Sequence, residues 1–209
     1  MQTANAEMRL WFVAAMCFAL FALLGLLVSQ RTPTRIDVEA VTLRGVATPL
    51  AAFFTALGRW PGVAGICLAA AIAFYFMHAN LRAMYFIAAA QVVSQAAAAL
   101  LKLAFHRIRP DYWLLHQELD FSYPSGHAVT SVVLFLGLAI LIWRSNVFTR
   151  PTAATAIVIL AICVVGIPWS RLALGAHYLT DVAGGVLFGA GWLCITLALI
   201  ARFAPRAAL

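Results

Sequence analysis

The sequence predicts an all-α polytopic membrane protein with six transmembrane helices in one bundle and an interfacial segment after the first span. Two observations indicate this fold class. First, 65% of the 209 residues are hydrophobic and only 10% are charged, whereas a soluble domain carries about 25% charged residues. Second, apolar stretches recur at roughly the 20-residue length that a bilayer core requires. The stretches lie at about 10–29, 61–78, 83–105, 128–143, 153–169 and 182–201.

Each stretch is predicted to be a helix, because a backbone in lipid must satisfy its own hydrogen bonds and a continuous apolar run does so as a helix. The first stretch is interpreted as an uncleaved anchor, since its apolar part is long and only a weak cleavage site follows it. The longest connection is 30–60, and its apolar part at 50–57 predicts a short helix lying along the interface. Residues 1–209 contain no repeats or linkers and are predicted to form a single domain.

The formal net charge of +7 does not indicate a nucleic-acid partner, because the basic residues form no run or stripe. They stand between the apolar stretches, as expected for loops beside anionic lipid headgroups or for a phosphate site. The four cysteines lie inside apolar stretches without metal-ligand spacing, and we interpret them as packing residues. The basic residues therefore indicate the bilayer and a phosphate group as partners, while the oligomeric state stays open.

Three polar clusters interrupt the apolar background, at 102–110, 123–127 and 170–181. No predicted span separates the first cluster from the second. Two spans, one outward and one returning, separate the second cluster from the third. All three clusters are therefore predicted to lie on the same side of the membrane, where they can form one site.

The spacing within the clusters predicts how their side chains are placed. Lys102 and Arg109 are seven residues apart, so they would share one face of a helix that ends at Arg109, before Pro110. His177 and Asp181 are four residues apart, so on a helix the carboxylate can accept the ring N–H.

Two small residues are predicted to shape the same site. Gly175 allows the chain to break between Arg171 and His177, so that both side chains can reach one place. Ser125 can cap a helix that begins near Gly126, and the free N–H groups of that first turn would then point at an anion.

Together these residues predict phosphoryl transfer. Three fixed positive charges suit a phosphate dianion and the charge that develops during transfer. They are Lys102, Arg109 and Arg171. His177, oriented by Asp181, can attack phosphorus as a nucleophile, and His127 can protonate the departing oxygen and later activate water. The sequence has no acidic cluster suited to Mg²⁺ or Zn²⁺, so neither a metal nor another cofactor is expected.

At these residues the sequence resembles the type 2 phosphatidic acid phosphatase (PAP2) superfamily. All three signature motifs match in order and without substitution. The matching residues are Lys102-x6-Arg109-Pro110, Pro124-Ser125-Gly126-His127 and Ser170-Arg171-x5-His177-x3-Asp181. The six-span pattern resembles that of small bacterial membrane members, which dephosphorylate phosphatidylglycerophosphate, phosphatidate or undecaprenyl diphosphate.

The resemblance implies a metal-independent lipid phosphatase with a phosphohistidine intermediate on His177 and with His127 as acid and base. It also implies an active site on the periplasmic side of a bacterial inner membrane, with five residues around the phosphoryl group. The five are Lys102, Arg109, Ser125, Gly126 and Arg171. The purely basic loops 79–82 and 144–152 favour the same orientation, with both termini inside.

Two other functions remain open at this point. A phosphotransferase could pass the phosphate from the same histidine to a lipid A-type acceptor, and it would share every motif. A transporter of phosphorylated lipid could use the cations as a relay, but the inverted repeats and mid-span charges typical of transporters are not seen in the sequence.

The remaining polar and aromatic residues near the motifs are given no catalytic or phosphate-binding role. The residues that we interpret as lying at the membrane interface are His78, His106, Arg107 and His116. The residues that we interpret as part of a solvated loop, rather than as catalytic, are Asp111, Glu118 and Asp120. An aromatic belt at the membrane interface is predicted for Trp113, Phe121 and Tyr123 in preference to the alternative that they line a path for acyl or prenyl tails.

Overall fold

The computed structural model describes residues 2–29, 33–111, 113–115 and 118–204, and every regular element within them is helical. The elements are α1 (Gln2–Val28), α2 (Arg35–Glu39), a 3-10 helix (Ala40–Leu43), α3 (Thr48–Gly58), α4 (Trp60–Phe76), α5 (Leu81–Phe105), α6 (Gly126–Thr130), a π-helix (Ser131–Leu136), α7 (Gly137–Arg144), α8 (Arg150–Ala173) and α9 (Leu179–Phe203). The predicted all-α fold class is confirmed. His116 lies outside the described residues.

Among the described residues, five helices are long and apolar enough to cross a membrane. They are Asn5–Val28, Leu81–Phe105, Gly126–Arg144, Arg150–Ala173 and Leu179–Phe203. They correspond to five of the six predicted stretches, and α6, the π-helix and α7 together make the third of them. The remaining predicted stretch, 61–78, forms α4, whose 17 residues lie at the lower end of the length that a spanning helix needs.

The connection after α1 is more strongly folded than the single interfacial helix predicted at 50–57. Arg35–Leu43 and Thr48–Gly58 are bent by 114° relative to each other. One face of α3 is buried, including Phe54 and Thr55, and α3 packs against α8. This packing places the side chain of Thr55 beside Arg171 of the third polar cluster and its carbonyl oxygen beside His127 of the second.

Helix α5 ends at Phe105, four residues before the predicted end at Arg109. His106 follows with a left-handed backbone (φ 48°), a conformation that histidine adopts more readily than most residues. The turn carries the chain away from the helix axis. Lys102 therefore lies on the helix and Arg109 on the following loop, so the prediction that they share one helical face is wrong.

Aromatic side chains fix the second polar cluster between α1, α5 and α9. Tyr123 is fully buried, stacks on Phe21 with ring centroids 5.3 Å apart, and donates its hydroxyl hydrogen to the Phe21 carbonyl at 2.6 Å. Its predicted place in an interfacial belt is wrong. Gly185 of α9 allows the start of α6 to lie close against α9, since a Cβ at this position would lie only 2.8 Å from the Cβ of Ala128.

Candidate active site

His177 lies in the turn between α8 and α9 rather than on a helix. Gly175 makes this turn possible with its positive φ of 68°. Tyr178 is the N-cap of α9, so Asp181 lies in the first turn of that helix. The predicted stacking of His177 and Asp181 on one helix is therefore wrong, although Nδ1 of His177 still lies 3.4 Å from Oδ2 of Asp181.

The hydrogen bonds of His177 define which ring nitrogen carries the lone pair. Nη1 of Arg109 lies 3.0 Å from Nε2 of His177. A guanidinium only donates hydrogen bonds, so Nε2 must accept and the proton of the neutral ring must sit on Nδ1. Nε2 is therefore the nitrogen of His177 that can act as a nucleophile.

Ser122 links the other ring nitrogen to the carboxylate. Its hydroxyl donates a hydrogen bond to Oδ2 of Asp181 at 2.5 Å. The same hydroxyl oxygen lies 3.3 Å from Nδ1 of His177 and can accept a hydrogen bond from the Nδ1–H group. The backbone N–H of Tyr178 donates to the same Oδ2 at 2.8 Å. Ser122 was not predicted as a site residue, because it precedes the matching motif Pro124–His127.

The surroundings of His177 keep its ring neutral. Burial lowers the pKa of His177 well below its ordinary value of 6.5, and the positive charges of Arg109, Arg171 and Lys102 lower it further. A protonated imidazole has no lone pair to attack with. The lowered pKa therefore suits a nucleophile that works at neutral pH.

Arg107 is buried beside Asp181, and its predicted interfacial position is wrong. Its Nη1 donates to Oδ1 of Asp181 at 2.6 Å, and its Nη2 donates to Oδ2 of Asp37 at 2.9 Å. The left-handed turn at His106 explains the difference, because it directs Arg107 into the protein. Neither Arg107 nor Asp37 belongs to a motif, so the sequence gives no indication that Arg107 forms ion pairs with Asp37 and Asp181.

The three predicted phosphate-binding cations are paired with two carboxylates of the loop before α6. Glu118 pairs with Arg109 at 2.8 Å and with Arg171 at 2.5 Å. Asp120 pairs with Lys102 at 2.5 Å and also with Arg109. Glu118 and Asp120 do lie on a partly exposed loop, as predicted, but their carboxylates also border the cationic cluster, which the sequence did not indicate. Shared partners bring the cations of the first and third motifs together.

Asp120 occupies the cationic cluster as a charged group. Burial favours its neutral form, but the ammonium of Lys102 and the guanidinium of Arg109 outweigh this and hold the pKa of Asp120 below its ordinary value. Carboxylate and phosphate oxygens accept the same charge-assisted hydrogen bonds. A phosphate entering the site would therefore compete with Asp120 and Glu118 for the same donors.

The second motif contributes His127 and Ser125 from the start of α6. Nε2 of His127 lies 3.2 Å from the carbonyl oxygen of Thr55, which only accepts, so Nε2 carries a proton. Ser125 is the N-cap of α6, but its side chain makes no capping bond. Among the described residues its buried hydroxyl has no hydrogen-bond partner, so the predicted cap is absent.

A cavity of about 520 Å³ connects the charged cluster to apolar parts of the membrane helices. Its polar wall includes His127, His177, Lys102, Glu118 and Asp120. Its apolar wall includes Trp60, Pro61, Ala98 and Ala99. A cavity with this division can accept a phosphate group that is attached to an apolar chain.

The chain is similar to curated bacterial lipid phosphatases. Phosphatidylglycerophosphatase B of Bacillus subtilis (strain 168) is 32% identical over 90 residues, which are 43% of this chain and 44% of that protein. Lipid A 1-phosphatase of Rhizobium johnstonii is 33% identical over 121 residues, covering 53% of this chain and 45% of that protein. The putative undecaprenyl-diphosphatase YbjG of Escherichia coli K12 is 36% identical over 78 residues, covering 37% and 34%. The chain thus spans less than half the length of these relatives.

The fold is shared with a solved structure over nearly the whole chain. The crystal structure of a transmembrane PAP2 type phosphatidylglycerolphosphate phosphatase from Bacillus subtilis has a TM-score of 0.77 and 20% sequence identity, and the match covers 94% of this chain and 100% of that chain. The family model described as the PAP2 superfamily matches residues 79–204, more than half of the chain. The chain is therefore a membrane-spanning member of the PAP2 superfamily.

Proposed function

We propose that this protein is a metal-independent membrane lipid phosphatase that acts through a phosphohistidine intermediate on His177. The observation that carries the proposal is the contact of 3.0 Å between Arg109 and Nε2 of His177. It places the lone pair of a buried, neutral imidazole next to a cluster of cations and on the wall of a cavity. A nucleophile beside an anion-binding cluster is what phosphoryl transfer requires.

The substrate phosphate binds by replacing the two carboxylates of the cluster. Its oxygens accept hydrogen bonds from Lys102, Arg109 and Arg171 in place of Glu118 and Asp120. Arg109 then turns its donor from the histidine nitrogen to a phosphate oxygen, which frees the lone pair of that nitrogen for attack.

Two groups at the start of α6 complete the binding of the phosphate. The unpaired hydroxyl of Ser125 and the first-turn N–H of Gly126 donate to the remaining phosphate oxygens, as expected at a helix N-terminus. The positive charges exceed those needed for a dianion, and the excess stabilises the transition state.

In the first chemical step, Nε2 of His177 forms a bond to phosphorus while the phosphorus–oxygen bond to the lipid breaks. The electron pair of that bond leaves with the lipid oxygen, which takes a proton from the imidazolium form of His127, the form that the negative charge of the bound phosphate favours. The imidazole of His177 keeps its Nδ1 proton and becomes positively charged. The carboxylate of Asp181, reached directly at 3.4 Å and through Ser122, stabilises this charge.

In the second step, a water oxygen bonds to phosphorus and the nitrogen–phosphorus bond breaks. The electron pair returns to Nε2, and His127, deprotonated in the first step, accepts the proton of the water. Inorganic phosphate then leaves and both histidines have their original protonation states, so atoms and charges balance over the two steps.

The proposed substrates are lipids that carry a phosphomonoester or a diphosphate. Undecaprenyl diphosphate, phosphatidylglycerophosphate and phosphatidate all have a phosphate on an apolar body, which fits the divided lining of the cavity. Two of the relatives described above are named for the first two of these substrates. We place the protein in the bacterial cytoplasmic membrane with its site on the periplasmic side, in keeping with the basic loops at 79–82 and 144–152.

The test is release of inorganic phosphate by the detergent-solubilised full chain in EDTA, with each of the three lipids. We expect hydrolysis without added metal, a wild-type enzyme that retains labelled phosphate when the reaction is stopped in alkaline detergent, a His177→Asn variant that retains none, and wild-type activity in His78→Asn. His78 is the matched control because it is exposed and lies outside the cavity. Strict dependence on a divalent metal, or wild-type turnover by His177→Asn, would refute the mechanism. Labelled phosphate transferred to an acceptor lipid instead of water would identify a phosphotransferase.

A further inference from the structure

A buried network of charges lies behind Asp181, and none of its members lines the cavity. Arg107 joins Asp181 to Asp37, and all three side chains are almost completely excluded from solvent. Resting on the function proposed above, we propose that Asp37 and Arg107 are positioning residues that orient Asp181 and preserve its negative charge beside His177.

The bonds around Asp181 divide its two oxygens between different tasks. Oδ1 accepts from Nη1 of Arg107 at 2.6 Å. Oδ2 accepts from the hydroxyl of Ser122 and from the backbone N–H of Tyr178, and it is the oxygen nearest to His177. Arg107 therefore prevents rotation of the carboxylate and keeps one chosen oxygen directed at the imidazole.

Asp37 binds the guanidinium of Arg107 on the side away from Asp181, and it also binds Thr180 at the start of α9. Its Oδ2 accepts from Nη2 of Arg107 at 2.9 Å, and its Oδ1 accepts from both the backbone N–H and the hydroxyl of Thr180 at 2.9 Å. Asp37 comes from α2, 143 residues earlier in the chain than Thr180, and lies before the part that matches the family model, 79–204. The segment after the first span thus contributes directly to the support of the site.

The charges of the network explain why two carboxylates are needed. Arg107 alone would cancel the charge of Asp181, and a neutral pair would stabilise a positively charged phosphohistidine poorly. With Asp37 ionised, the three groups carry a net charge of minus one, which faces His177 through Asp181. Because the network is buried, this difference is little screened by water. Asp37 therefore acts on the chemical step through charge, without touching the substrate.

The experiment compares kcat and KM for three variants of the full chain. Asp37→Asn keeps the side-chain shape but removes one negative charge, so we expect kcat to fall about 10- to 100-fold, by analogy with the outer partners that orient metal-binding histidines. KM should change by less than about twofold, because binding of the phosphate is unaffected. Glu39→Gln on the same helix is the control, since Glu39 forms an exposed pair with Arg35, and we expect wild-type kinetics.

The double variant Asp37→Asn with Arg107→Gln separates charge from mere structural support. It removes one negative and one positive charge, so Asp181 again supplies a net charge of minus one. We expect a kcat about tenfold or more above that of Asp37→Asn, because a purely structural role predicts a further loss instead. Equal or lower kcat in the double variant would overturn the charge argument.

The variant Arg107→Lys provides a second test of the positioning role in case Asp37→Asn does not fold. The lysine retains the positive charge but lacks the forked donors that reach two carboxylates at once, so kcat should fall while KM stays unchanged. Wild-type kcat in either Asp37→Asn or Arg107→Lys would overturn this inference alone. Absence of phosphate release by the wild-type chain would instead contradict the proposed function.

Discussion

The two ring nitrogens of His177 face two groups of charges that are built differently. On the Nδ1 side, the carboxylates of Asp37 and Asp181 have 0% side-chain exposure and are held by Arg107. On the Nε2 side, the carboxylates Glu118 and Asp120 have 27% and 54% side-chain exposure. The first group is sealed in the protein, whereas the second borders a cavity.

The difference in burial indicates which ion pairs stay intact and which can be replaced by contacts with a substrate phosphate. Removing one partner of a buried pair leaves an unpaired charge in a medium that solvates it poorly, so such a pair stays intact. A partly exposed carboxylate that leaves its partner is solvated by water, so an exposed pair contributes little. The sealed group therefore orients the nucleophile, and the exposed group can give way to a substrate phosphate.

The largest effect is expected from the carboxylate nearest the nucleophile. Asp181→Asn should lower kcat by about 10³-fold or more, because the amide stabilises neither the ring tautomer nor the positive charge of the intermediate. The measurement is steady-state phosphate release in detergent. The control is Asp111→Asn, since Asp111 is exposed on the loop and outside the cavity wall. A loss shared equally by both variants would show that the effect is not specific to the carboxylate beside His177.

The next effect separates buried from exposed ion pairs by stability. Arg107→Leu leaves two buried carboxylates without their partner and should lower the free energy of unfolding by about 3–5 kcal/mol. Arg35→Leu breaks a pair whose side chains are 92% and 61% exposed and should cost less than about 1 kcal/mol. Thermal denaturation of both variants in the same detergent measures the difference. Similar melting temperatures would show that burial does not set the strength of these pairs.

A smaller effect is expected from the exchangeable carboxylates. Glu118→Gln frees Arg109 and Arg171 from a competing anion, so inorganic phosphate should bind about two- to fivefold more tightly, as expected for a partly exposed pair. Lys102→Gln provides the opposite change and should weaken binding. Competition between inorganic phosphate and a lipid substrate measures both. Weaker phosphate binding in Glu118→Gln would show that Glu118 supports the anion site rather than competing with the substrate.

The smallest effect concerns protonation of His177. Because its pKa lies well below the ordinary value of 6.5, the ring should remain neutral as the pH falls from 8 through 6.5. The unfolded chain does bind that proton near pH 6.5, so His177 should lower the stability of the folded protein progressively below this pH. NMR of carbon-labelled histidine, assigned with His177→Asn, measures the titration directly. A midpoint near 6.5 would contradict the neutral, buried ring.

Much of the fold and the members of the candidate site could be predicted from the sequence alone. Hydropathy is a local property, and a bilayer imposes one element length, so the spanning helices follow from the apolar stretches. The order of the motifs also predicted that Arg109 and His177 would meet, because helices that go out and return bring their ends to one side. These inferences need only chain direction and segment length.

The tertiary structure decided the partners of the charges. The left-handed turn at His106 separates Lys102 from Arg109 and sends Arg107 inward, which no helical spacing indicates. Asp37 meets Thr180 across 143 residues, and Glu118 meets Arg171 through the fold of a loop. The sequence alone determined which residues could carry phosphate chemistry, since this depends on residue type. Only the three-dimensional packing could decide which carboxylates are sealed and which are exchangeable, because burial is a property of the assembled chain.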